Sequence, residues 1–227
     1  MKLTKSARLN FLLGQMGIFN YFDVINHLPR RYENLNLTTD YNFKDKQRVV
    51  LFGKVMSLPT LATHKTLSIA TFDFMTYDHK LFHVVAYNRP YIRKNDYLGN
   101  DYTLLASYDQ KNNRLNLLNI YKGKIAPEEA LKPIYQLPTG YLNHQYISLV
   151  KKAFLEVGES IYNIIPSPLR KKYHLLDRKS ALYAAHFPKS VEDIRQGLRH
   201  LKYEEALLFS LKAQLIRRSN DAFDKIK

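Results

Sequence analysis

Two rings and three cations fall within residues 87–94: Tyr87, Arg89, Tyr91, Arg93 and Lys94. Aromatic faces stack on bases, and guanidinium and ammonium groups hold phosphates. Interleaved at this spacing, these residue types suit a nucleic-acid strand. A strand pattern precedes them. Phe82, Val84 and Ala86 alternate with Leu81, His83 and Val85, the period of a pleated strand. Asn88-Arg89-Pro90 then breaks the ladder, because proline has no N–H to donate. If a helical turn follows, Tyr87 and Tyr91 stand four apart and face the same way. The same residues also fit two half-buried tyrosines beside a solvated basic face, and the stretch alone leaves both readings open.

The whole chain is basic. It carries 35 Lys and Arg against 20 Asp and Glu, a net charge of +15 over 227 residues, with pI near 9.7. Such a field attracts polyanions, and nucleic acid is the first partner it suggests. The 17 Tyr and 12 Phe add stacking surfaces, although most must serve a core. An apolar content of 45% and mean hydropathy of −0.37 fit a folded soluble chain. No apolar run has a membrane-spanning length and no signal peptide is evident, so no membrane partner is expected. Cysteine is absent, which excludes disulfides, thiolate metal sites and a cysteine nucleophile and is compatible with the cytoplasm. His79 and His83 are four apart beside a strand, too far for one zinc, so no metal is expected.

The order of elements predicts an α+β fold. Residues 3–16 read as a short helix with Leu3, Ala7, Phe11 and Leu12 inward, ended by Gly14 and Gly17. Residues 20–27 form a second short helix, stopped by Pro29. The two pack as an N-terminal helical hairpin, and with a linker fill residues 1–45. Strands follow at 49–55, 67–74, 81–87, 102–108 and 115–121, where Gly53 is expected to mark a bulge or coil. A helix from Arg89 to about Tyr97 is expected between the third and fourth. That is the order of a five-stranded OB-fold β-barrel, over residues 46–122. Residues 123–145 read as a linker broken by Pro127, Pro133, Pro138 and Gly140. Asn143 is expected to cap the next helix. A C-terminal helical region completes 123–227. Its long helix runs from a capping box at Ser190 and Asp193 to about Arg218, with Val191, Ile194, Leu198, Leu201, Leu208, Leu211 and Leu215 as one stripe.

Chemistry is harder to find. The sequence has no G-x-x-x-x-G-K-[ST], no G-x-G-x-x-G after a strand and no G-x-S-x-G elbow, so it offers nothing to cradle a nucleoside triphosphate. Glu128-Glu129, Glu192-Asp193 and Glu204-Glu205 are adjacent pairs, which point about 100° apart on a helix and read as caps and solvated faces. No catalytic residue and no cofactor is assigned.

Several segments resemble one family. Met16-Gly17-Ile18 and His27-Leu28-Pro29-Arg30-Arg31-Tyr32-Glu33 are similar to an N-terminal signature of the RecG family of ATP-dependent DNA helicases. Ala86-Tyr87-Asn88-Arg89-Pro90-Tyr91 resembles the family's wedge segment, with Tyr87 where Phe is common. Pro133-Ile134-Tyr135, His186-Phe187-Pro188-Lys189-Ser190 and Arg199-His200-Leu201-Lys202-Tyr203-Glu204-Glu205 resemble its helical linker and the segment before the motor. The similarity spans roughly residues 5–218. It implies a wedge at the junction of stalled replication forks and Holliday junctions. There Tyr87 and Tyr91 would stack on opened bases, while Arg89, Arg93 and Lys94 hold phosphates. It further implies motor domains, absent from this sequence, to which ATP and Mg would belong. It also implies a single-stranded-DNA-binding protein among the partners, and a bacterial, nucleoid-associated, cytoplasmic location.

Three functions compete on the sequence. One is the junction-binding wedge region of a RecG-like helicase. The second is a stand-alone OB-fold binder of single-stranded nucleic acid. The third is an interaction domain whose groove takes a peptide.

Overall fold

The computed structural model describes residues 2–64, 67–89, 92 and 98–224. The chain divides into two compact units. Met1–Glu33 joins Leu131–Lys227 in a mostly helical unit, and Asn34–Ala130 forms a barrel unit.

The helical unit starts with α1 (Ala7–Gln15) and α2 (Tyr21–Asn26). Ser6 caps α1, its Oγ accepting from the Leu9 N–H at 3.3 Å. Asn20 and Asp23 cap α2 reciprocally: Asp23 N–H donates to Asn20 Oδ1 at 3.0 Å, and Asn20 N–H to Asp23 Oδ2 at 3.1 Å. Leu9, Leu12, Leu13 and Met16 turn inward, the i, i+3, i+4, i+7 spacing of one helical face. Phe11 lies on the opposite face and is exposed. Ala7 is exposed too, whereas Leu3 and Leu12 pack inward as expected; the difference arises because α1 begins at Ala7 and its face is registered on Leu13.

The hairpin is not a domain of its own. Leu13, Tyr21, Val24 and Ile25 share one core with Tyr135, Tyr146, Leu149, Val150, Ala153 and Leu182, from beyond residue 130. A short ribbon of β1 (Arg31–Asn34) and β8 (Leu131–Ile134) ties the two segments together. No strand is expected here from the sequence, since Pro29 stands just before β1, Pro133 lies inside β8 and each piece is only four residues long.

The barrel unit contains β2 (Arg48–Val55), β3 (Thr60–His64), β4 (Leu67–Thr76), β5 (Leu81–Tyr87), β6 (Asp101–Asp109) and β7 (Arg114–Lys122). The sheet order is β2-β6-β7-β5-β4-β3, and β2 also pairs with β4. That extra pairing closes five strands into a barrel and leaves β3 as a hairpin appendage on β4. β5 and β7 pair in parallel and align Val84 with Leu115. This is the closure of an OB-fold, in which the third and fifth strands run side by side.

The expected alternation holds. Val49, Leu51, Val55, Ala70, Phe72, Phe74, Val84, Ala86, Leu104 and Ala106 are buried together inside the barrel. Ile92 joins them, fully buried. Of the helix expected after β5, only Arg89 and Ile92 are described, joined by an Ile92 N–H to Arg89 carbonyl bond of 3.1 Å. The rest lies outside the described residues.

The ladder runs through Gly53 without a bulge; the irregularity of this sheet lies in β7, where Leu118 is the extra residue opposite the Leu105–Ala106 step of β6. Gly53 instead pairs with Tyr102 on one side and Thr76 on the other. It stands where β2 passes from one neighbour to the next. A Cβ there would lie 2.0 Å from the Met75 carbonyl oxygen. The obstacle is backbone and cannot swing aside. Gly53→Ala is therefore expected to destabilise the barrel by about 3 kcal/mol, at the upper end of overpacking costs. Urea denaturation checks this; an unchanged midpoint would show that the closure is not tight.

In the helical unit follow α3 (Asn143–Val157), α4 (Ser167–Lys172), α5 (Arg178–His186) and α6 (Val191–Asp224). Asn143 does not cap α3. Its Oδ1 accepts from Tyr135 N–H at 3.0 Å and its Nδ2 donates to the Pro133 carbonyl at 2.9 Å, pinning β8 to the helix. Leu142 occupies the cap position, and Gln145 Oε1 reaches back to its N–H at 3.2 Å. The Ser190/Asp193 capping box of α6 is present. The helix runs six residues past the expected Arg218. Its apolar stripe is buried only in part, since Leu208, Leu211, Leu215 and the first residue, Val191, are exposed. The α5–α6 crossing is close: a Cβ on Gly197 would lie 2.7 Å from the Ala181 carbonyl.

Candidate nucleic-acid interface

Tyr87 closes β5 on its outward face, opposite Ile69 of β4. It is 37% exposed, and among the barrel's core residues it has no place. Asn88 follows with φ of 54°, a left-handed conformation that asparagine tolerates better than most residues. Its N–H donates to the Ser68 carbonyl at 2.7 Å, and its Oδ1 accepts from Ser68 N–H at 3.3 Å. The chain is thus tied to β4 for one residue more and then turned out of the sheet. The turn begins at Asn88, one step before the proline can act.

Arg89 is partly buried, and its Nη2 donates to the Leu118 carbonyl of β7. The guanidinium is held over the β5–β7 seam instead of extending into solvent. Tyr91, Arg93 and Lys94 lie outside the described residues.

A further cation belongs to this rim. Arg114 Nη2 donates to the Tyr87 hydroxyl at 3.1 Å, and its Nε pairs with Asp109 Oδ2 at 3.1 Å. Asp109 also accepts from Asn112 Nδ2 at 2.8 Å. Hydrogen bonds from Asn112, with the Arg114 guanidinium beside them, hold its carboxyl below the usual carboxylate range. The charge pair fixes the start of β7 and the Tyr87 hydroxyl, leaving the ring face as the exposed feature. Sequence reasoning missed Arg114, because its contact with Tyr87 is made by two long side chains reaching across the β5–β7 pairing, which sequence spacing does not show. The turn from Gln110 to Asn113 carries Lys111 at its exposed tip.

The arrangement is a ring with two guanidinium groups where β5, β7 and the β6–β7 turn meet. OB-folds bind oligonucleotides on the face of their second and third strands, next to the loop between the fourth and fifth. Those positions here are β4, β5 and residues 110–113. Nearby His83 Nδ1 lies 3.1 Å from Asp73 Oδ1, a cross-strand pair on the same face. Among the described residues no group of three His, Cys, Asp or Glu could hold a metal. No helix of the described residues is long and apolar enough to cross a membrane.

No family model matches the chain. Individual proteins do. The chain is 30% identical over 208 residues to the ATP-dependent DNA helicase RecG of Bacillus subtilis, covering 91% of this chain and 30% of that protein. It is 26% identical over 207 residues to RecG of Streptococcus pneumoniae, with the same coverage. A solved structure of RecG bound to a three-way DNA junction superposes with a TM-score of 0.66 at 21% identity, covering 94% of this chain and 30% of that one. That likeness gives the fold. The chain spans about 30% of the length of the relatives it matches. It is homologous to the N-terminal region of the RecG helicases.

Proposed function

We propose that this chain is the DNA-junction-binding wedge region of a RecG-type helicase, acting on stalled replication forks and branched recombination intermediates. The observation that carries the reading is the rim built by Tyr87, Arg89 and Arg114 on a closed OB-type barrel, in a chain whose relatives are RecG helicases. The exposed Tyr87 ring would stack on the base laid open where the parental duplex splits, with Tyr91 beside it in sequence. Arg89 and Arg114 would meet phosphates, with Arg93 and Lys94 following them along the chain. Binding branched DNA requires nothing of this chain beyond stacking, charge and a rigid barrel.

ATP and Mg belong to motor domains in this reading. The residues here do not fit them, because no phosphate-cradling glycine loop occurs in the sequence, and no step is derived through them. Partners are forks and Holliday junctions, the motor domains and a single-stranded-DNA-binding protein. The location is the bacterial cytoplasm, at the nucleoid.

Fluorescence anisotropy with a three-way fork against a single strand of equal length tests the reading. Junction recognition predicts at least about tenfold tighter fork binding, or about 1.4 kcal/mol. Equal affinity for both would contradict it and indicate a plain single-strand binder.

A further inference from the structure

The two units share the charge unequally. The barrel unit holds 13 Lys and Arg against 9 Asp and Glu, a net +4, and the helical unit 22 against 11, a net +11. The helical unit is thus the stronger attractor of polyanions, yet the barrel-rim reading uses none of its cations.

One place in that unit concentrates them. Arg170, Lys171 and Lys172 end α4, and no Asp or Glu occurs from residue 160 to residue 176. His174 follows with φ of 48°. The Leu175 N–H returns to the Arg170 carbonyl at 2.9 Å and the His174 N–H to the Lys171 carbonyl at 3.3 Å. Those two bonds form a Schellman closure, which fixes the turn. Arg199 of α6 is brought in by its Nη2, which donates to the Tyr173 carbonyl at 2.9 Å. Ser167, Arg170, Lys171, His174 and Leu175 line a groove of about 460 Å³. Arg170 Nε is buried there without a hydrogen-bond partner, a donor that folding leaves unused at a cost. The acid next in sequence, Asp177, spends its hydrogen bonds on the Ser180 N–H at 2.9 Å and hydroxyl at 2.7 Å, and it faces the Arg170 charge without a hydrogen bond to its Nε. One cation would satisfy the short helix's dipole; three in a row with a fourth from α6 exceed that need.

We propose that the α4 turn is a second docking surface, for the phosphate backbone of duplex DNA, separate from the barrel rim. Successive helical side chains fan out by about 100°. Arg170, Lys171 and Lys172 therefore cannot close on one compact anion, but they can follow a row of phosphates. The nearby rings do not offer a base platform. Tyr173 packs on Tyr203 at 5.2 Å between centroids, and Lys172 Nζ lies 5.4 Å from the Tyr173 centroid. Tyr173 keeps 37% exposure, but a cation and a second ring already engage it, which favours backbone contact over stacking, hence duplex over single strand. The proposal rests on the chain being a DNA-binding module but not on the rim.

The test is anisotropy of a blunt duplex, without a junction, against the full chain at several salt concentrations. Arg170→Gln with Lys171→Gln and Lys172→Gln is expected to weaken duplex binding. It should also make the log–log salt slope shallower by about 0.9 per lost phosphate contact, roughly 2–3 in all. If that variant melts early, Lys171→Glu with Lys172→Glu, both exposed, serves instead. An unchanged slope in a folded variant, or a wild-type chain that binds no duplex, overturns the proposal. A lowered slope in a chain without fork preference would sustain it while sinking the junction reading.

Discussion

Replacing Tyr87 and Tyr91 together by alanine is expected to weaken fork binding by roughly 2–4 kcal/mol, the loss of two base–aromatic stacks, while the fold survives. The structural argument concerns Tyr87. Its ring lies on the outward face of β5, outside the barrel core, and among the described residues its hydroxyl meets a side chain, Arg114, whose own charge is paired with Asp109. Truncating it leaves no cavity among Val84, Ala86 and Phe72. Tyr91 enters on its position in the sequence. Thermal melts beside fork titrations separate the outcomes. Should the double variant melt while its folded fraction binds as before, the rings belong to the core and the rim assignment fails.

The second large effect is one of pH on stability. His186 is fully buried, between Tyr135 and the α2 backbone. Its Nε2–H donates to the Ile25 carbonyl at 2.7 Å, so its Nδ1 accepts from the Tyr135 hydroxyl, also at 2.7 Å. Both nitrogens are satisfied by a neutral ring, and burial pushes its pKa down to about 4. Burial lowers His27 as well. An unfolded histidine titrates near 6.5, so below that pH the unfolded chain binds a proton that the folded chain refuses. The stability from His186 is complete above about pH 6.5 and is lost as pH falls toward 4, roughly 3 kcal/mol in all at about 1.4 kcal/mol per pKa unit. Urea melts across that range, compared with His186→Gln, measure it. The variant should be less stable at neutral pH and lose less on acidification. Parallel pH profiles for the two proteins would show that His186 is not the titrating group.

These residues also explain which parts of the sequence carried the family resemblance. The His27 ring stacks at 6.2 Å from that of Tyr135, and Tyr135 bonds His186. The Tyr32 hydroxyl donates to the Ala185 carbonyl at 2.6 Å, and burial raises its pKa to about 12. Motifs separated by more than a hundred residues thus meet in one core. Most of the segments that carried the resemblance hold the helical unit together, whereas Tyr87 and Arg89 belong to the rim.

The barrel strands were legible because each has one face inside, and burial on alternate residues writes itself into the sequence as Val49-Leu51 or Phe72-Phe74. The α6 cap was legible because Ser190 and Asp193 satisfy each other locally. Features set by distant partners were not. Among the described residues the strand β3 has only β4 as a neighbour, and of its described side chains Leu61 alone packs, half-buried, on the barrel core. The β1–β8 ribbon pairs residues about a hundred apart. Gly53 answers to the Met75 carbonyl, Asn143 to Pro133 and Tyr135, and Arg114 to Tyr87. In each case the residue type is explained by an atom that sequence spacing does not bring near.

The central claim is that the barrel rim, through Tyr87, holds an opened base at a DNA junction. The most direct measurement uses a fork with 2-aminopurine at the branch point, followed by fluorescence as the chain is added. Stacking of Tyr87 predicts that the wild type changes the probe's emission at saturation and that Tyr87→Ala, bound to saturation on the same fork, does not. An identical change with the variant would place the branch-point base away from this ring and contradict the account.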